Sequence, residues 1–242
     1  MLIREDLTAA IETGWADLGR PGTWWTGAER VAIAAEARNA MACPLCAARK
    51  QALSASMVAG AHASLGILPD AAVEAIHRIR TDAGRLGESW FATIIAAGLS
   101  EDQYVELVAV VAIVAAVDGF DFAAGLPVRA LPDPRPGAPS RRRPRNPSRG
   151  PAWVSVLMPD DRMPDEPDQF LDHPGPRERG HAHIHLTISL VPDSAIQFWT
   201  VQEAMYQRGP MMRDFARDYR AISHAQIELV AARVAALNQC LY

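Results

Sequence analysis

The residue types most able to do chemistry meet in one short motif, Cys43-Pro44-Leu45-Cys46. Proline inside a helix loses a donor and clashes with the carbonyl four residues back, here that of Ala40. One helix must therefore end near 39–42, and a second must start with Pro44 at its first position, where the missing N–H costs nothing. That places Cys43 at the N-cap, facing unpaired amides and the positive end of the helix dipole, which favours thiolate over thiol. Cys46 lies one turn on, and an i, i+3 pair brings the Cα atoms to roughly 5–6 Å, inside the disulfide range. Lys50 follows four residues after Cys46 on the same face, where an ammonium would further stabilise a thiolate.

Two other readings of the pair compete. A structural zinc needs four ligands, usually from two such pairs. Cys240, the third and last cysteine, has no partner, and no histidine follows Cys46 at finger spacing, so a metal is not expected. The other alternative is two buried, unreactive thiols. The histidine cluster His181-Ala182-His183-Ile184-His185 lacks a companion carboxylate or cysteine and reads as a solvated segment at a helix start. His62, His77 and His224 stand alone and read as surface residues.

The elements that must position the thiols are helical. Helices are expected over 28–39, 47–60, 70–80, with Asp70 as the cap, and 87–97. Ser100 with Gln103 forms a capping box for a helix reaching Val117, apolar on nearly every side and so central. Helical pattern returns over 185–206 and 223–242, giving an all-α protein. Between the halves, 132–151 holds PDPRPGAPSRRRPRNPSRGP, which predicts an extended, solvated linker between a helical unit at 1–131 and a second at 152–242. Its arginines lack interleaved aromatics, and with a net charge of -4 nothing pulls the chain toward nucleic acid. The longest apolar run, 107–117, is too short to span a membrane. The N-terminus has acidic residues where a secretory leader would be apolar, so a cytoplasmic, thiol-reducing setting is expected.

The two halves share a pattern. Glu29-Arg-Val-Ala and Glu228-Leu-Val-Ala each follow a hydroxyl residue and an alanine, and each glutamate is followed ten residues later by asparagine, Asn39 and Asn238. A cysteine comes next in both, Cys43 and Cys240, with two extra residues in the first copy.

This combination resembles the alkylhydroperoxidase-D-like branch of the carboxymuconolactone decarboxylase superfamily, in particular its two-copy, peroxidase-related members. The residues that carry it are the Glu29–Asn39 stretch, the CPLC motif, the helix GLSEDQYVELVAVVAIVAAVDGF, and SHAQIELVAARVAALNQC in the second copy. The resemblance implies an all-helical, oligomeric bundle without metal or organic cofactor. It implies reduction of hydroperoxides by the cysteine pair, with Cys46 attacking, Cys43 resolving through a disulfide, and Glu29 relaying protons. Lys50 occupies the position of the family's relay histidine, and Glu228 and Cys240 are the second-copy remnant.

The expected activity is thus a thiol-dependent hydroperoxide reductase of weak activity, an antioxidant enzyme recycled by a dithiol donor. A helical scaffold or oligomerisation protein that kept the fold and lost the relay is the alternative. Acid–base chemistry on a small carboxylic acid, with Glu29 and a histidine, is a third. Self-association is expected because the 107–117 helix carries more apolar face than one small unit covers.

Overall fold

The computed structural model describes residues 3–150, 152–170, 183–238 and 240. Its elements are α1 (Glu5–Asp17), α2 (Gly27–Asn39), α3 (Pro44–Gln51), α4 (Asp70–Asp82), α5 (Glu88–Ala96), α6 (Glu101–Ala123), β1 (Ser148–Arg149), β2 (Ser155–Val156), α7 (His183–Leu186), α8 (Pro192–Met205), α9 (Gly209–Met212) and α10 (His224–Leu237). The protein is mostly helical. Its described strands form one two-stranded antiparallel ribbon, with Ser148 opposite Val156.

Helix starts follow from local chemistry. The Thr26 side chain accepts from the Glu29 amide while the Glu29 carboxylate accepts from the Thr26 amide, and Ser100 with Gln103 repeats the device at α6. Pro44 opens α3 with Cys43 at the N-cap, and the preceding helix stops at Asn39 before a 3₁₀ turn over Ala40–Ala42. Several boundaries differ from expectation: α1 lies outside the expected helices, and α6 continues past Val117 to Ala123. Helix α3 ends at Gln51 instead of near 60, because Arg85 caps the Arg49 and Ala52 carbonyls and the chain turns irregular. Pro69, not Asp70, takes the N-cap position of α4. The expected 185–206 helix is broken in two before Pro192, which serves as the first residue of α8.

Helix α6 is the centre. Leu107, Val110, Val114 and Val117 are fully buried and meet Ile33 and Ala37 of α2 and Ile76 of α4 in one cluster. Helix α8 lies against α1 so closely that a Cβ on Gly14 would fall 2.3 Å from Val201 Cγ2. On another side, Phe91, Val105 and Ala109 share a cluster with Leu190, Val191 and Trp199. The core therefore runs across the expected boundary at 132–151. Because α6 is covered within the chain, its apolar surface gives no reason for self-association. The large apolar side chains left exposed include Leu229, Val230, Val234 and Leu237 on α10.

The described part of this segment, 132–150, is extended, as its prolines require, but it is a strap and not a free linker. Arg135, Ser140 and Arg141 donate backbone hydrogen bonds to Gly19, Gly22 and Thr23. Its arginines meet carboxylates: Arg142 with Asp193, Arg143 with Asp102, and Arg145 with Asp165 and Glu166.

Candidate functional site

Four helices and a loop assemble the site at the start of α3. Helix α2 brings Glu36 and Asn39 on one face, α3 brings Cys43, Cys46 and Arg49, and α4 brings Glu74 and His77. The irregular segment between α3 and α4 contributes His62, and α5 contributes Trp90. Spacing explains the pairs: residues three apart on a helix project together.

Cys43 and Cys46 are both free and buried. The Nδ1 of His62 lies 3.6 Å from Cys43 Sγ and 3.5 Å from Cys46 Sγ. The Nδ1 of His77 lies 3.2 Å from Cys46 Sγ. Each imidazole is fixed from its other nitrogen: His62 Nε2 contacts Glu74 Oε2 at 2.7 Å, and His77 Nε2 contacts Glu36 Oε1 at 2.8 Å. The carboxylates are held in turn. Asn39 and the Leu65 amide donate to Glu36, each at 3.0 Å; Arg49 donates to Glu74 at 2.9 Å and Trp90 at 3.2 Å. The two rings stand 4.2 Å apart between centroids, tilted by 44°.

The environment treats the sulfurs differently. Burial alone would raise the Cys43 thiol, but the Cys46 and Ala63 amides and the His62 ring outweigh it and bring the group down to about 6. Burial pushes Cys46 up to about 11, with the charge on Cys43 adding to it. This is the difference the N-cap argument anticipates. Burial opposes protonation of His62, yet Glu74 and Cys43 raise its pKa. Burial likewise opposes ionisation of Glu74, and hydrogen bonds from His62, Arg49 and Trp90 bring it down to about 2. Glu36 is also lowered, its donors overcoming burial.

Of the residues given catalytic or remnant roles in the sequence, Cys43, Cys46, Lys50, Glu29, Glu228 and Cys240, the structure brings only Cys43 and Cys46 together here. Glu29 is occupied by the α2 capping box, at the far end of that helix and roughly 20 Å from Cys43 by helical rise. Lys50 is exposed on α3, while its neighbour Arg49 turns inward to Glu74 and His62. Glu228 is bonded to the Tyr206 hydroxyl and lies 3.4 Å from His224, away from Cys43 and Cys46, and Cys240 is exposed. Thr26 and Ser223 both cap helices, but Glu29 is the third residue after its cap and Glu228 the fifth, so the two glutamates point differently.

His62 and His77 are corrections to the sequence reading: neither is a surface residue, and His77 has no exposed surface. His224 is likewise buried, stacked on Phe215. A usable signal lay in α2 and α4. Glu36 falls between Ile33 and Ala37, and His77 beside Val73 and Ile76, on stripes whose apolar period leaves no reason for a lone polar residue unless it has a partner. Of the 181–185 histidines, His185 packs edge-on against Trp199, and His181 lies outside the described residues.

Among the described residues no helix is long and apolar enough to cross a membrane. Comparison with protein-family models, curated proteins and solved structures finds no match to this chain.

Proposed function

We propose that the protein is a thiol-dependent hydroperoxide reductase working through Cys43 and Cys46. The observation that carries this reading is a pair of neighbouring sulfurs that share one imidazole, with a buried thiol–imidazole–carboxylate chain, Cys46–His77–Glu36, behind them. In this reading Cys43, at the α3 N-terminus with the Ala63 amide on its sulfur, is the nucleophile. Its thiolate attacks the distal oxygen of ROOH, the O–O bond breaks, and the alkoxide takes the His62 proton to leave as ROH. Cys43 is then a sulfenic acid. His77 takes the Cys46 proton, the Cys46 thiolate displaces hydroxide from Cys43 to form the disulfide, and that proton passes on to the departing hydroxide, which leaves as water. Two thiols and ROOH thus become a disulfide, ROH and water, and a small external dithiol restores the pair by exchange.

This order reverses the roles that the resemblance assigns to the two cysteines. The helix start stabilises negative charge on Cys43, whereas Cys46 sits inside the protein beside the His77 ring. His77 and Glu36 fill the relay offices that the resemblance gave to Lys50 and Glu29. Peroxide enters when the 52–69 segment loosens, and its return sets His62 and the Ala63 amide back on the sulfur; its Leu53, Met57 and Ile67 are exposed and lend it little apolar anchorage. The need for reduced thiols fits a cytoplasmic setting.

A catalytically silent scaffold is the second reading, favoured by the burial of both cysteines, 2% and 3% exposed. Consumption of tert-butyl hydroperoxide with dithiothreitol as donor separates the two. Turnover should vanish in Cys43→Ser, while Cys46→Ser mixed with peroxide in the absence of dithiothreitol should react once and leave a sulfenic acid on Cys43 that dimedone traps. No consumption by the parent, or unchanged turnover in Cys43→Ser, would remove the enzyme reading.

A further inference from the structure

We propose that Cys43, Cys46, His62 and His77 form a tetrahedral zinc(II) site, and that metal binding locks both thiols out of reaction. The four ligand atoms, two Sγ and two Nδ1, lie within 4.8 Å of one another. With Zn–S near ~2.3 Å and Zn–N near ~2.05 Å, a regular tetrahedron has S···N edges of about 3.6 Å. The three close S···N separations are 3.6, 3.5 and 3.2 Å. An ordinary thiol–imidazole hydrogen bond would draw His62 toward one sulfur. Its Nδ1 instead stands equally far from both, as a shared ligand shell requires.

The outer contacts point the same way. Both histidines give Nε2 to a carboxylate, which turns both Nδ1 lone pairs toward the sulfurs. A ring fixed by a carboxylate on one nitrogen and free to ligate with the other is the usual support of a metal-bound histidine. Glu36 and Glu74 are themselves anchored by Asn39, the Leu65 amide, Arg49 and Trp90, so the ligand directions are set before any ion arrives.

Two thiolates and two neutral imidazoles suit zinc, and a shell closed by four protein ligands leaves no position for a substrate or catalytic water. The ligands come from the α3 start, α4 and the segment between them, so the ion would also clip down a segment whose large apolar residues mostly face solvent. The cysteine spacing alone does not show this: His62 stands sixteen residues after Cys46 and His77 fifteen after that, from separate elements.

The inference does not depend on peroxidase activity. Full-length reduced protein, stripped with chelator, is titrated with Co(II) and then with zinc. The expected result is one metal per chain, a thiolate–cobalt charge-transfer band and intense tetrahedral visible bands, displaced by zinc. His62→Ala, in the exposed segment, should abolish the bands, and Glu74→Gln should weaken binding about 10- to 100-fold with the fold intact by circular dichroism. Stoichiometric zinc should slow the reaction of Cys43 and Cys46 with a thiol reagent at least tenfold, and chelator should reverse it. Background zinc with both thiols shown reduced, or weak octahedral cobalt spectra unaffected by His62→Ala, would overturn the site. Metal binding without peroxide turnover would leave this inference standing and remove the previous one.

Discussion

Removing the Glu36 carboxylate should be among the most damaging single changes near the site. Glu36 has no exposed surface, and its oxygens accept from His77 Nε2, Asn39 Nδ2, the Leu65 amide and Ser64 Oγ. Glu36→Ala strands these donors, of which His77 is wholly buried. Breaking a buried, hydrogen-bonded pair by deleting one partner costs about 3–5 kcal/mol. At roughly 2–4 °C per kcal/mol for a chain of this size, the melting temperature should fall by about 10 °C. Glu36→Gln should cost less. Its amide oxygen can still accept from His77, while the –NH₂ faces the Leu65 amide, donor against donor, for a loss of about 2 kcal/mol. Calorimetric scans of reduced, chelator-treated protein give both values. A drop under ~3 °C for Glu36→Ala, well below what a lost buried pair implies, would refute the view that this carboxylate holds the site together.

Other expectations follow from the same geometry. Lys50→Met should change peroxide and thiol-reagent rates less than twofold, since Lys50 is exposed and Arg49 faces the site; a larger loss would restore Lys50 to the chemistry. Glu29→Ala should cost about 1 kcal/mol in urea denaturation through its cap and leave thiol reactivity unchanged. In metal-free protein, alkylation of Cys43 by iodoacetamide should rise with a midpoint at about pH 6, while Cys46 stays protonated until about pH 11; a Cys43 midpoint at the ordinary thiol value would contradict it. Glu74 falls from 4.5 to about 2 on folding, so its contribution is complete above pH 4.5 and is lost as pH drops toward 2. With 28% of its side chain exposed, that contribution is discounted to about 2 kcal/mol, so Glu74→Gln should destabilise by that amount at pH 6 and progressively less below pH 4.

The local half of the site was legible in the sequence because it depends on residues close in the chain. Pro44 fixes where one helix stops and the next begins, and that alone puts Cys43 at an N-terminus and Cys46 one turn behind it. The capping boxes at Thr26 and Ser100 belong to the same class. What was not legible depends on packing between elements. His62 reaches the sulfurs only because Arg49 and Glu74 hold the irregular segment, and Arg49 does so by binding the Val58 carbonyl as well. Lys50 and Arg49 differ by one residue, or about 100° around a helix, which decides which of them faces α4. Glu29 illustrates the reverse error: a carboxylate in a motif-like place, already committed to its own helix start.

Whether Cys43 and Cys46 reduce peroxide as a pair is decided by the stoichiometry of a single addition. Reduced, chelator-treated protein is mixed with one equivalent of tert-butyl hydroperoxide, quenched by alkylation and mapped by mass spectrometry. The expected result is two thiols lost per peroxide consumed, a Cys43–Cys46 disulfide, and Cys240 alkylated. Peroxide left unconsumed, with Cys43 and Cys46 both recovered as alkylated thiols, would contradict it.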